Sequence, residues 1–416
     1  MVFEAIRSSP RTFKVLVASA LIENIAFGLI IPYLTLYMIL DLGISEILTG
    51  TVLMTYTIAG MPAMIIGGML ADRFGRRPVL LTSLGLMAVT MLMYFFAYDF
   101  TTLVILAFVD SFVGSMYMPA ANAMIADLIP SSERPRAFST MRIAWNTGIV
   151  IGPVLGWIIV AAASIKILFV FGSAILASAF VLNFILIRET KPADAKPEDV
   201  TFRKVLEVGR DRPFLLLCAL TGILWFCFSQ WMSVLPVYAT NELGLESYEY
   251  GLMFAVSSGL VVLTQLSITR IMVKFTRSKV LLAGHLMVAL GFALIYLAFD
   301  FWTLLECVIV ITFGEILYMS ILSTIIADMA PPAKRGSYMG FSGFVQTLGS
   351  GIGFLMGMTL LAVMPEASLI WLVFGTIGFV TAIGYVAFGR IVGPQHNDPK
   401  VIEELQKAKA LAENFK

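Results

Sequence analysis

The chain is poor in the residues that metal and redox chemistry need: two His and three Cys in 416 residues. Cys218, Cys227 and Cys307 all lie in apolar runs, which argues against a disulfide framework. Neither H-E-x-x-H nor the phosphate loop G-x-x-x-x-G-K-S/T occurs, so no resident metal or cofactor is expected, nor ATP-driven pumping by this chain alone. Charge is scarce as well. Asp, Glu, Lys and Arg make up 13% of the residues, where soluble domains carry about 25%. The net charge of +1 provides no field for a polyanion, which excludes nucleic acid as a partner.

Apolar residues are abundant instead: 59% of the chain, with a mean hydropathy of +0.90. They fall into twelve runs, at about 14–40, 47–71, 78–98, 101–127, 136–162, 164–187, 213–240, 248–273, 279–299, 302–328, 336–364 and 367–389. A helix needs roughly 20 apolar residues to cross a bilayer. In hydrocarbon the backbone must satisfy its own hydrogen bonds, so runs of this length are expected as helices. Dyad alternation of the β-barrel kind is absent. The first run is too long for a cleaved signal peptide, and no small-residue cleavage site follows it.

Orientation follows from the basic residues. With both termini on one side, that side holds 26 of the 28 Lys and Arg; the exceptions are Lys166 and the helical Arg142. The opposite loops carry acids, among them Asp41, Glu46, Asp99, Glu242 and Asp300. Both termini are therefore expected in the cytosol, with the protein in the cell membrane.

The longest polar stretch, Arg188–Arg212, divides the spans six and six. The expected organisation is a six-helix bundle at 1–187, a cytosolic linker at 188–212, a second bundle at 213–389 and a cytosolic tail at 390–416. A short surface helix is expected near Thr201–Gly209 and an amphipathic helix over Val401–Lys416. The two halves repeat each other at a constant offset. ADLIPSSER at 126–134 returns as ADMAPPAKR at 327–335, RFGRRPVLL at 73–81 as KFTRSKVLL at 274–282, and Gly148, Gly152 and Gly156 as Gly349, Gly353 and Gly357. Parallel six-helix repeats commonly surround a midplane site and rock about it.

Three motifs carry a resemblance. GGMLADRFGRRP at 67–78 places Gly68, Leu70, Asp72, Arg73, Gly75, Arg76 and Arg77 between the second and third spans. Gly148, Gly152, Pro153 and Gly156 stand on the fifth span, and FGEILYM at 313–319 on the tenth. The first resembles the loop signature of the major facilitator superfamily. The others resemble the antiporter motif and the tenth helix of its twelve-helix drug:proton antiporters. The resemblance implies an all-α membrane protein of two pseudo-symmetric six-helix bundles, with spans 1, 4, 7 and 10 around a central cavity. It implies a cytosolic latch of Asp72 and Arg76, which Asp127 is expected to join. The second copy has Val273 where the first has Asp72, so a weaker latch is expected there. One departure stands out: the family often carries Arg on the fourth span where this chain has Asp110.

Without the resemblance, the glycine spacing reads as close helix packing, and Pro153 as a bend. Arg73 and Arg77 read equally well as positive-inside anchors. Embedded charges carry the sharper signal, because an ion at mid-bilayer costs at least about 2.5–3.5 kcal/mol and needs a partner, water or a proton. The candidates are Glu23, Asp110, Arg142 and Glu315. Glu306 reads as interfacial, and His285 as a packed side chain. A carboxyl removed from water can exchange protons near neutral pH. Rise per residue suggests that Arg142 pairs with Glu23 and leaves Asp110 alone. Phe27, Tyr33, Tyr117, Trp225, Phe226, Trp231, Tyr318, Phe344 and Gln346 are candidate cavity-lining residues, although aromatics in membrane helices more often serve packing. Together these features suggest a monomeric, proton-coupled exporter of lipophilic or cationic small molecules. The same fold could carry a sugar, amino acid, metabolite or lipid. A non-transporting receptor or membrane enzyme is the remaining alternative; no nucleophile–base pair supports the enzyme.

Overall fold

The computed structural model describes residues 10–130, 134–191, 211–272, 274–330, 335–402 and 404; among them there is no strand. The expected helix at Thr201–Gly209 and nearly all of the one at Val401–Lys416 lie outside the described residues. The helices are α1 (Arg11–Leu36), α2 (Glu46–Phe74), α3 (Arg76–Phe95), α4 (Phe100–Gly114), α5 (Tyr117–Leu128), α6 (Arg134–Ala162), α7 (Ile167–Leu186), α8 (Arg212–Phe228), α9 (Val234–Asn241), α10 (Ser247–Met272), α11 (Arg277–Ile295), α12 (Phe301–Met329), α13 (Arg335–Val363), α14 (Leu369–Ile391) and the short α15 (Pro394–Asn397). Eleven stretches among the described residues are long and apolar enough to cross a membrane. At the place of the eighth expected span stands α10, 26 residues long.

Two of the expected spans are broken, each just before a proline. Pro119 sits near the start of α5, after the interruption at Ser115–Met116. Pro236 sits near the start of α9, after a 3-10 turn at Ser229–Trp231. A proline has no N–H for the carbonyl four residues back. Pro236 thus leaves the Met232 carbonyl free, and Thr35 Oγ1 of α1 donates to it at 2.8 Å.

The chain forms two compact units. One comprises Met1–Asp199, Met232–Ser258 and Phe354–Ala362; the other comprises Val200–Trp231, Gly259–Gly353 and Val363–Lys416. In the first, α1 and α6 run together along a glycine seam. A Cβ on Gly148 would meet Leu21 O at 2.6 Å, one on Gly152 would meet Ile25 O and the Gly28 carbonyl carbon at 2.6 Å, and one on Gly156 would meet Leu29 O at 2.8 Å. In the second unit α13 meets α8 in the same register: Gly349 lies on Gly222, and Gly353 on Phe226 and Ser229. The trio of Gly152, Ile25 and Gly28 becomes Gly353, Phe226 and Ser229, every member displaced by the repeat offset. The repeat seen in sequence is therefore a repeat of packing. Asp99 and Asp300, another pair of repeat counterparts, cap α4 and α12 by accepting from Thr102 N and Thr303 N.

Candidate functional site: a charged latch and embedded carboxyls

Gly75 links α2 to α3 at φ 107°, a conformation that side chains with a Cβ rarely adopt. This sharp turn folds Arg76 back over the end of α2. Its guanidinium is nearly buried. It reaches Asp72 Oδ1 at 3.2 Å, Asp127 Oδ2 of α5 at 3.1 Å and the Ala71 carbonyl at 3.0 Å. Thr190 Oγ1 donates to the same Asp127 oxygen. The other signature residues have different work. Arg77 donates to the Ile187 and Phe184 carbonyls at 2.8 Å, tying α3 to the end of α7. The Arg73 guanidinium lies over the Phe74 ring. Gly68 has room for a side chain, its nearest neighbour Pro119 being 3.9 Å away. The tight glycine is Gly67, where a Cβ would stand 2.7 Å from Met116 Cα.

In the second unit Arg277 pairs with Asp328 at 2.7 Å, the counterparts of Arg76 and Asp127. The limb through Asp127 is thus duplicated. The limb through Asp72 has no acidic counterpart, because residue 273 is Val.

Sequence reasoning missed Glu189, which reads as one of several charges in a linker. It closes the N-terminus of α3: Oε1 accepts from Arg76 N at 3.0 Å and Oε2 from Arg77 N at 3.1 Å. Thr190 N and Lys191 N also donate to Oε1. In the second unit Asn397 accepts from Ser278 N at 2.8 Å, so in each sequence repeat a residue just after the last long helix, α7 or α14, caps this position. Partial burial raises the Glu189 carboxyl, but backbone N–H donors from Lys191, Arg76, Arg77 and Thr190 outweigh it and hold the group below its ordinary value of 4.5. A depressed carboxyl contributes stability above its ordinary range and loses it as pH falls further. Glu189→Gln is accordingly expected to lower the melting temperature at pH 7, with the gap to wild type narrowing below about pH 4.5. Thermal unfolding in detergent across pH 3–7 checks this; a pH-independent gap would mean that the charge is irrelevant to the cap.

The embedded groups are arranged differently from the expectation. Glu23 Oε2 on α1 is sealed from solvent with no hydrogen-bond partner among the described residues. Arg142 on α6 is exposed and forms no ion pair with it. The seam explains why. Gly148 lies against Leu21 and Asn24, so Arg142, six residues earlier, stands roughly 9 Å below the level of Glu23. Asp110 is not alone either: it is buried on α4 and accepts from Thr90 Oγ1 of α3 at 2.6 Å. Tyr56 of α2 lies within electrostatic reach of both Glu23 and Asp110. Tyr56 and Thr90 are ordinary polar residues in apolar runs, and only the fold brings them to the acids. On α12, Glu315 is half-buried with no hydrogen bond or ion pair to a described residue. Among the described residues no three His, Cys, Asp or Glu converge as metal ligands, and the three cysteines are buried and unbridged.

The aromatic candidates divide by burial. Tyr33, Tyr117, Trp231 and Tyr318 are sealed in helix packing and face no open space. Their helical register turns them into seams: Tyr33 lies on Gly156, and Tyr117 donates to Ser19 Oγ. Phe27 and Phe344 are exposed, while Trp225, Phe226 and Gln346 are half-buried.

The profile of the Major Facilitator Superfamily matches residues 16–354, with a second match at 242–414. A Na(+), Li(+), K(+)/H(+) antiporter of Planococcus maritimus is 27% identical over 372 residues, 82% of this chain and 87% of the relative. The multidrug resistance protein MdtH of an Enterobacter strain is 26% identical over 365 residues, 86% and 89% of the two chains. Among solved structures, a POT family transporter in complex with a thioalcohol-conjugated peptide superposes with a TM-score of 0.77. The match covers 92% of this chain and 99% of the other at 16% identity, a likeness of fold. The sequence repeat, the Arg76 ion-pair cluster after α2 and the profile match across most of the chain agree: this multi-pass membrane protein belongs to the Major Facilitator Superfamily of transporters.

Proposed function

We propose that the protein exchanges protons for lipophilic or cationic small molecules by alternating access, exporting them across the cytoplasmic membrane as a monomer with both termini in the cytosol. The observation that carries the reading is Glu23, whose sealed Oε2 has no described partner. An ion there needs a counter-charge, water or a proton. Arg142 is out of reach, which leaves the proton as the simplest partner. Asp110 and Glu315 add two carboxyls without an ion pair to a described residue. Relatives supply independent support, since one is named for multidrug resistance and another for cation/proton antiport. The second of these favours a further reading, exchange of monovalent metal cations for protons on the same carboxyls.

Proteoliposomes loaded with a fluorescent lipophilic cation test the proposal. Wild type is expected to extrude the dye only while a pH gradient is held. Glu315→Gln and Glu23→Gln are each expected to cut gradient-driven extrusion about tenfold or more, the loss of roughly 1.4 kcal/mol of coupling. Extrusion indifferent to collapse of the gradient would overturn proton coupling. Potassium exchange without dye transport would select the second reading.

A further inference from the structure

His285 belongs neither to the Arg76 cluster nor to the embedded carboxyls. It lies on α11, fully buried, and neither ring nitrogen has a hydrogen-bond partner among the described residues. A neutral imidazole carries one donor and one acceptor, and a dry core penalises each one left unmade. Beside it runs a chain of hydroxyls from three helices. Thr221 Oγ1 of α8 is 2.8 Å from Tyr318 Oη of α12, which is 2.7 Å from Tyr385 Oη of α14. The direction of this chain can be deduced. Thr221 donates its proton to the Leu217 carbonyl at 2.7 Å. Tyr318 must therefore donate to Thr221, and Tyr385 to Tyr318. Every donor is used, and the Tyr385 oxygen is left as the chain's free acceptor. Of these two tyrosines Tyr385 is the nearer to His285, at 5.5 Å between ring centroids against 6.2 Å for Tyr318.

The first unit holds an internal control. Tyr117, the repeat counterpart of Tyr318, donates to Ser19 Oγ at 3.2 Å, and Asn183 Nδ2 donates to the same oxygen at 2.7 Å. A polar chain across three helices is thus part of the repeated packing. The imidazole is not: the repeat counterpart of His285 is Leu84, also fully buried. Packing alone is satisfied there by an aliphatic side chain.

We propose that His285 and the Tyr385–Tyr318–Thr221 chain form a proton-binding site in the second unit, completed by one internal water. Its use in transport rests on the proton-coupled reading above. The water accepts from an imidazole N–H and donates to the free lone pair on Tyr385, within the usual complement of about three bonds for a buried water. Proton binding places one solvent proton on the imidazole, giving an imidazolium. Burial opposes that charge. The water and the oriented hydroxyl dipoles, which present an acceptor and no donor, favour it. The titratable groups facing His285 are Tyr318 from α12 and Tyr385 from α14, with Cys218 of α8 near Tyr318. Glu315 lies one turn before Tyr318 on α12. Arg277, two turns before His285 on its own helix, is engaged by Asp328.

Because the chain has only two histidines, His396→Gln leaves His285 as the sole imidazole signal in histidine-labelled protein. In nanodiscs that signal is expected to pass from imidazole to imidazolium between about pH 5 and 8. Tyr385→Phe, which removes the free acceptor, is expected to lower the midpoint by about one unit, a tenfold loss of proton affinity. His285→Leu, installing the residue found at the matching place in the first unit, is expected to fold normally and to weaken the dependence of transport on the pH gradient. A neutral imidazole of one tautomer throughout that range, or a midpoint unmoved by Tyr385→Phe, would overturn the site. A titrating His285 in a protein that moves no cargo with a pH gradient would instead overturn the exchange reading and leave the site standing.

Discussion

Gly152→Ala should lower stability by about 3 kcal/mol or more and deplete folded protein in the membrane, whereas Gly343→Ala should leave stability unchanged or slightly higher. The two substitutions are chemically identical and both fall in long helices, α6 and α13. Intrinsic helix propensity alone favours Ala over Gly by about 1 kcal/mol in each. Surroundings decide the sign. At Gly152 a Cβ would stand 2.6 Å from the Gly28 carbonyl carbon, Ile25 O and Leu29 N, all backbone atoms of α1 that no rotamer change can move. The helices would have to separate, loosening the seam from Gly148 to Gly156. At Gly343 nothing lies within 4 Å. Thermal unfolding monitored by size-exclusion chromatography in detergent separates the two outcomes. A Gly152→Ala protein as stable as wild type would show that the seam is not close-packed.

At the Arg76 cluster, Asp127→Asn should slow transport and reduce stability more than Asp72→Asn does. The loop signature makes Asp72 the obvious acid, but its side chain is 36% exposed and it meets Arg76 across the Gly75 turn, from the end of α2. Exposed ion pairs contribute about 0.2–1 kcal/mol. Asp127 is 15% exposed, comes from a different helix and accepts from both Arg76 Nε and Thr190 Oγ1. Weakening it leaves a nearly buried guanidinium without its best-enclosed partner, at a cost of about 1–3 kcal/mol. It also loosens the only one of these ion pairs that joins α3 to α5. Initial transport rates and melting temperatures of the two variants, measured side by side, check the order. Equal effects, or a larger one for Asp72→Asn, would return the leading role to the signature aspartate.

The seam and the latch differ in how far they could be read in advance. Glycines at every fourth position announce a close helix contact, and their recurrence in the second half announces its copy. Which glycine is tight depends on the facing helix, so Gly67 passed unnoticed beside the signature Gly68. Arg76 was legible from its place in the loop motif, and so was Asp127 from its position at the end of the fourth span. Glu189 was not, because its role comes from backbone N–H groups of a helix far away along the chain, which have no sequence signature. The pairing of Arg142 with Glu23 failed for a related reason. Rise per residue gives depth only along each helix by itself, whereas relative height is set by the register in which Gly148 meets Leu21 and Asn24.

Composition and periodicity alone determined that this chain spans a membrane with long helices in a repeated pattern, and that three carboxyls are embedded in them. Those conclusions rest on the cost of placing backbone and charge in hydrocarbon, which acts on every residue by its type and position in the run. Tertiary structure alone decided which of those groups have partners. Asp110 has Thr90, the Glu23 Oε2 has no described partner, and His285 lies beside a hydroxyl chain assembled from three other helices. A hydrogen bond is made or lost over about half an ångström, and only the register between helices far apart in sequence sets distances that finely.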